Sequence, residues 1–164
     1  MFSEIELKLR LSFILANTFR NVKILQFEGD KVSLPPKTDS LIFLDESEPL
    51  QVFIDNKPYF EVDHEHKEVP ILQGINEIFI KPKYNGRIAL ANKVHNAYKL
   101  WVYGITVLEA SKYVNKEKLL EILSKTLSIV PFTSVSREQL LVASAVWKGF
   151  PKHFLYFSEG MRYE

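Results

Sequence analysis

The sequence predicts an α+β protein in which β structure dominates. The expected body is an antiparallel β-sandwich or jelly-roll-like domain of about eight or nine strands, followed by two packed C-terminal helices and a last short strand. Three observations carry this. Apolar residues alternate with charged ones at the N-terminus, short apolar runs bounded by turn residues follow up to about residue 110, and helical spacing takes over beyond it.

The opening segment sets Ile5, Leu7, Leu9, Leu11, Phe13 and Leu15 against Glu4, Glu6, Lys8, Arg10 and Ser12. A period of two puts these sets on opposite faces of a long strand with one dry side. Residues 22–27 end at Glu28-Gly29-Asp30, a turn composition, and residues 31–34 stop at Pro35-Pro36. Residues 41–44 form a short apolar run. Residues 50–62 read as a hairpin turned at Asp55-Asn56-Lys57-Pro58. Residues 69–72 come next. Residues 75–80 and 87–91 are then expected to pair through Asn85-Gly86, which supplies positive φ for a tight turn. Residues 99–108, apolar on both faces, match a central buried strand.

Beyond residue 110 the pattern is helical. Asn115 is placed to cap a helix over about 116–128, with Leu119, Leu120, Ile122, Leu123 and Leu127 at helical spacing and Pro131 as its stop. Ser136 and Gln139 fit a capping box that opens a second helix reaching about Lys148, before Gly149 and Pro151. His153 to Phe157 is the expected last strand. No repeat or flexible linker separates the halves, so residues 1–164 are expected to form one domain, with a β-rich part over 1–110 and a helical extension over 111–164.

Composition narrows the function classes. The chain has 164 residues, 46% of them hydrophobic and 13% aromatic, enough apolar surface to offset the ordering entropy. Without cysteine it has no disulfide framework, thiolate zinc site or cysteine nucleophile. A net charge of +1 argues against a general polyanion-binding surface. Sixteen Lys to 5 Arg and 15 Glu to 5 Asp, with only 4 Gln and 2 Met, match heat-adapted proteins. An AT-rich genome would favour the same lysines. With neither a signal-peptide pattern nor a membrane span in the sequence, the expected location is cytoplasmic or virion-associated.

Motifs with chemistry are sparse. Asp63-His64-Glu65-His66 is the one cluster of metal-ligand types; on an extended chain His64 and His66 point the same way and could share a cation. Read otherwise, it is a solvated loop inside a longer charged run. Asp45, Glu46 and Glu48 are near enough in sequence for a carboxylate pair, but they also compose an ordinary turn before Pro49. No nucleophile elbow, P-loop, dinucleotide fingerprint or His-Glu-x-x-His motif is present, and no cofactor is implied. The two C-terminal helices resemble a helix-turn-helix in outline only. Their connector is long, and the second helix offers few cations, so nucleic acid is not an expected partner.

Aromatic residues are the remaining resource. Tyr59, Phe60 and Tyr84 lie in or beside expected strands, and an exposed row of such rings would make a sugar-stacking platform or a protein interface. Tyr84, beside the expected Asn85-Gly86 turn, is the first choice for a ring at a loop tip. The function expected on these grounds is a non-catalytic structural or interaction protein acting in a homo-oligomer or larger assembly, a virion surface among the settings. Its partner would be a protein or a second copy. A carbohydrate-binding module using Tyr84, Tyr59 and Phe60 is the alternative, and a metal-dependent enzyme built on His64 and His66 the third.

Overall fold

In the computed structural model of the chain, residues 1–131, 133–153 and 155 are described. They form two compact units. One is helical and takes in Met1–Thr18 and Val94–Ser144. The other contains the sheet, Phe19–Lys93, together with Ala145–Lys148.

The N-terminal segment is a helix, α1 (Glu4–Thr18), and not the expected strand. Its buried residues Leu7, Leu11, Ile14, Leu15 and Thr18 recur at the spacing of one helical stripe. Leu7, Leu11 and Leu15 stand four apart, a separation compatible with a period of two as well as with a helix, which is why alternation misleads here. Ser3 and Glu6 decide the matter locally. The Glu6 N–H donates to Ser3 Oγ at 3.2 Å and the Ser3 N–H donates to Glu6 Oε1 at 3.1 Å, a reciprocal capping box.

Residues 99–108 are likewise helical, inside α2 (His95–Ala110), and not a central strand. An apolar run without clear periodicity fits a helix as well as a buried strand, and the sequence pattern alone does not separate the two. Gly104 marks the contact of α2 with α1. A β-carbon built there would lie 2.3 Å from Leu11 Cδ2, so the two helices meet at a position that admits no side chain.

The two C-terminal helices appear where expected. In α3 (Lys116–Ser128) the buried stripe is Leu120, Leu123, Ser124 and Leu127, and α1 packs on both α2 and α3. Asn115 stands at the helix start with φ +45°, but its side chain caps nothing. In α4 (Arg137–Val146) the expected capping box forms, with the Gln139 N–H donating to Ser136 Oγ at 3.1 Å and the Ser136 N–H to Gln139 Oε1 at 2.8 Å. Of the last short strand expected at His153–Phe157 only His153 and Leu155 are among the described residues, and both are helical, not extended.

The second unit is a sheet of antiparallel strands nearly closed into a barrel. Its six strands are β1 (Phe19–Ser33), β2 (Ser40–Phe43), β3 (Leu50–Ile54), β4 (Lys57–Val62), β5 (Glu68–Pro70) and β6 (Glu77–Lys93). The strands expected at residues 22–27 and 31–34 are one strand, β1. The Gly29 backbone, at φ +142°, makes a register shift against β6 in place of a turn. The pair expected at residues 75–80 and 87–91 is also one strand, because β6 runs straight through Asn85-Gly86. The hairpin over residues 50–62 is present as β3 and β4, and Asp55 (φ +52°) and Asn56 (φ +64°) take the left-handed conformations its two-residue turn requires.

β6 organises this unit. One edge pairs with β1 from Phe19↔Lys93 to Ser33↔Glu77. The other edge pairs with β3 at Phe79–Lys81 and with β2 at Ile88–Ala91. β4 pairs on the far side of β3 and β5 on the far side of β2, and β4 and β5 approach each other where the Tyr59 hydroxyl donates to the Pro70 carbonyl. Val52, Val62, Val69, Leu41, Phe43, Ile78, Ile80 and Ile88 fill the space they enclose.

Candidate functional site

The densest polar constellation of the sheet unit is built where residues 44–48 meet the second half of β6. Arg87 projects outward from β6 and holds Asp45 in a two-pronged contact, Nη2 to Oδ1 at 2.8 Å and Nε to Oδ2 at 2.9 Å, with the Arg87 backbone N–H donating to Oδ2 at 2.7 Å. The Arg87 guanidinium thereby holds the Asp45 carboxyl below the ordinary aspartate value, and Asp45 in turn raises the Arg87 pKa. Below this pair the Tyr84 hydroxyl accepts from the Asp45 N–H at 2.9 Å and donates to the Arg87 carbonyl at 2.7 Å.

Tyr84 is therefore not a ring at a loop tip. It is 4% exposed, its ring stands edge-on to Phe43 at a centroid distance of 4.9 Å, and burial raises its pKa. Gly86 belongs to the same arrangement. A β-carbon there would lie 2.8 Å from Asp45 Cβ and 2.9 Å from Tyr84 Oη, so the glycine read as a turn signal serves close approach instead. Tyr59 and Phe60 are half-buried against the core, so the three aromatics singled out from the sequence form no exposed row.

The other expected site residues are not gathered into one pocket. Asp63–His66 is a turn and not an extended segment. Asp63 Oδ1 accepts from the Glu65 and His66 N–H groups at 2.8 Å each and lies 2.9 Å from His66 Nδ1. Those contacts, the Glu65 amide foremost, lower the Asp63 pKa. His64 turns the other way, its Nδ1 3.4 Å from Oε2 of Glu46. The extended geometry that would aim both imidazoles at one cation is thus absent, and among the described residues no group of three or more His, Asp or Glu is placed to hold a metal ion. Glu46 is buried, and its Oε2 accepts no hydrogen bond from a described residue. Asp45 is committed to Arg87, so the three carboxylates read in residues 45–48 separate: Asp45 is paired, Glu46 covered and Glu48 exposed. The Asp45–Arg87 contact left no mark in the sequence, because it depends on pairing across about forty positions.

Two further surfaces stand out. In the sheet unit, adjoining concavities of about 580 and 350 Å3 lie on either side of the loop between β1 and β2 and share Pro35, Pro36, Lys37, Thr38 and Asn92. In the helical unit, α2 is apolar around most of its circumference, yet only Gly104 and Leu108 among its residues are buried. Val102 is 40% and Tyr103 42% exposed, and Tyr113 beyond the helix end 83%.

Searches against protein-family models, curated proteins and solved structures found no match to this chain. Among the described residues no helix is long and apolar enough to cross a membrane.

Proposed function

We propose that this is a non-catalytic interaction protein that self-associates through the outward face of α2. The supporting observation is the stripe Val102, Tyr103, Thr106 and Ala110, continued by Tyr113 and Val114 just past the helix end. A helix apolar around most of its circumference is ordinarily covered over most of it, and exposed contiguous apolar surface marks interaction sites. A second copy fits by charge. Lys99 precedes Val102 by one turn and Glu109 lies beside Ala110, so an antiparallel two-fold pairing centred between them sets Lys99 of each copy against Glu109 of the other. Lys99 makes no ion pair with the described residues, whereas Glu109 also meets Lys112 on the surface at 3.2 Å. The catalytic alternatives lack a comparable basis, since the carboxylates and imidazoles are dispersed.

Light scattering over a concentration series tests this. The chain is expected to form a dimer or larger species, and Val102→Glu with Tyr103→Glu to return it to monomer with an unchanged circular dichroism spectrum. Lys99→Glu should weaken association, and the added Glu109→Lys should restore it. A wild-type chain that stays monomeric to about 1 mM, the weakest affinity of interest, or a dimer indifferent to Tyr103→Glu, overturns the proposal.

A further inference from the structure

The cleft around the loop from Pro35 to Asp39 has features of a built site. Its walls are held by backbone hydrogen bonds between distant segments: Leu34 N–H to the Asn76 carbonyl at 2.8 Å, Ile71 N–H to the Asp39 carbonyl at 2.8 Å, and Asp39 N–H to the Ala91 carbonyl at 3.0 Å. Thr38 folds back on its own loop, its hydroxyl donating to the Pro35 carbonyl at 2.9 Å. Asp39 is likewise engaged, because its Oδ2 accepts from the Lys93 N–H at 2.9 Å. With the frame satisfied internally, the side-chain amides of Gln73, Asn76 and Asn92 in the larger concavity and Asn21 in the smaller make no hydrogen bond to any described residue. Their donors and acceptors remain available to a ligand.

Backbone conformation supports the same place. Asn21 (φ +53°), Lys37 (φ +68°) and Gly74 (φ +94°) all line these concavities in left-handed conformations. For a lysine that conformation is unfavourable and persists only where its surroundings impose it, and such positions cluster at ligand sites.

We infer that this cleft binds a neutral saccharide. An amide both donates and accepts, and so does each hydroxyl of a sugar; the three amides of Gln73, Asn76 and Asn92 beside Leu72, Ile75 and Pro36, with Asn21 in the adjoining concavity, match a ligand whose hydroxyls lie at its edges and whose C–H groups form its faces. The volumes fall in the range of small-molecule sites. A phosphorylated or sulfated ligand would call for convergent cations, and the lining residues offer only Lys23 and Lys37, at separate positions. The site is independent of the α2 face, which belongs to the other unit.

The test is isothermal titration of the full chain with a panel of neutral oligosaccharides, followed by the best binder on variants. Wild type is expected to bind at least one neutral sugar with millimolar or better affinity, and Asn92→Ala or Gln73→Ala to weaken it at least tenfold while the melting temperature holds. Tyr103→Glu should leave sugar binding unchanged. Three results overturn the inference: no binding at about 10 mM ligand, binding confined to anionic glycans, or affinity retained by the Gln73→Ala/Asn92→Ala double variant.

Discussion

Leu11 of α1 occupies the space that a side chain at position 104 of α2 would need: a β-carbon on Gly104 would stand 2.3 Å from Leu11 Cδ2, and Leu11 is completely buried. Gly104→Ala therefore forces Leu11 or the helix to move, at an expected cost of ~1–3 kcal/mol. Leu11→Ala alone should cost ~2–5 kcal/mol by leaving a cavity. Because the second change removes the atom with which the first collides, the double variant is expected to be more stable than additivity allows. Urea unfolding of the four proteins measures the coupling, and strict additivity would show that the contact does not set the helix spacing.

Tyr84→Phe keeps the ring against Phe43 but removes a hydroxyl bonded to both the Asp45 amide and the Arg87 carbonyl. A loss of ~1–3 kcal/mol is expected, since both backbone groups lose a buried partner. An unchanged urea midpoint would show that water replaces the hydroxyl without penalty.

Gly86→Ala tests the same locus from the other side. The new methyl would meet Asp45 Cβ at 2.8 Å and Tyr84 Oη at 2.9 Å. Both are anchored, one by Arg87 and one by burial, so ~1–3 kcal/mol of destabilisation is expected. In Gly86→Ala/Tyr84→Phe the nearest hydroxyl contact is gone, and part of that loss should return. Thermal unfolding reports both.

The Asp45–Arg87 pair gives a pH dependence of defined sign. Asp45 has a folded pKa below its unfolded value, so its contribution is present above the ordinary aspartate value of about 4 and is lost as pH falls through the lower folded value. Both side chains are more than a third exposed, so Asp45→Asn should cost no more than ~1 kcal/mol at pH 7. The gap between wild type and Asp45→Asn should close as pH drops below about 4. Melting temperatures from pH 7 to pH 2 check this, and a gap that widens on acidification would reverse the assignment.

Lys37→Gly replaces a lysine at φ +68° by the residue with no β-carbon to crowd. The relief of backbone strain exceeds the added freedom of the unfolded chain, so a gain of ~0.5–1 kcal/mol is expected. A lower melting temperature would mean that the lysine side chain supplies compensating contacts.

The hairpin β3–β4 and the capping boxes of α1 and α4 rest on residues within a few positions of each other, and such chemistry is readable along the chain. For α1 the Ser3–Glu6 box competes with an alternation of leucines that fits a strand equally well. Residues 99–108 carried no helical signal, because Leu100, Trp101, Val102, Tyr103 and Ile105 are apolar in any periodicity. Asn85-Gly86 has turn chemistry, yet Gly86 answers to Asp45, a residue some forty positions away. Tyr84 moved from surface to core for the same reason. The unpaired amides of the cleft come from three separate chain segments, β1, the connection from β5 to β6, and the end of β6, and no local pattern announces them.

β6 also constrains the order in which the sheet can assemble. The β3–β4 hairpin closes through neighbours in sequence, but β1 pairs with residues as remote as Phe19↔Lys93, and both β2 and β3 need β6 as their other partner. During synthesis β1, β2 and β3 must therefore wait, with the edges that face β6 unpaired, until that last strand has left the ribosome. Pairing at such separations is slow to nucleate and leaves exposed strand edges open to association with other chains. The amides of β6 that face β2 at Ile88–Ala91 should be among the last to exchange with solvent, since releasing them means opening the barrel as a whole.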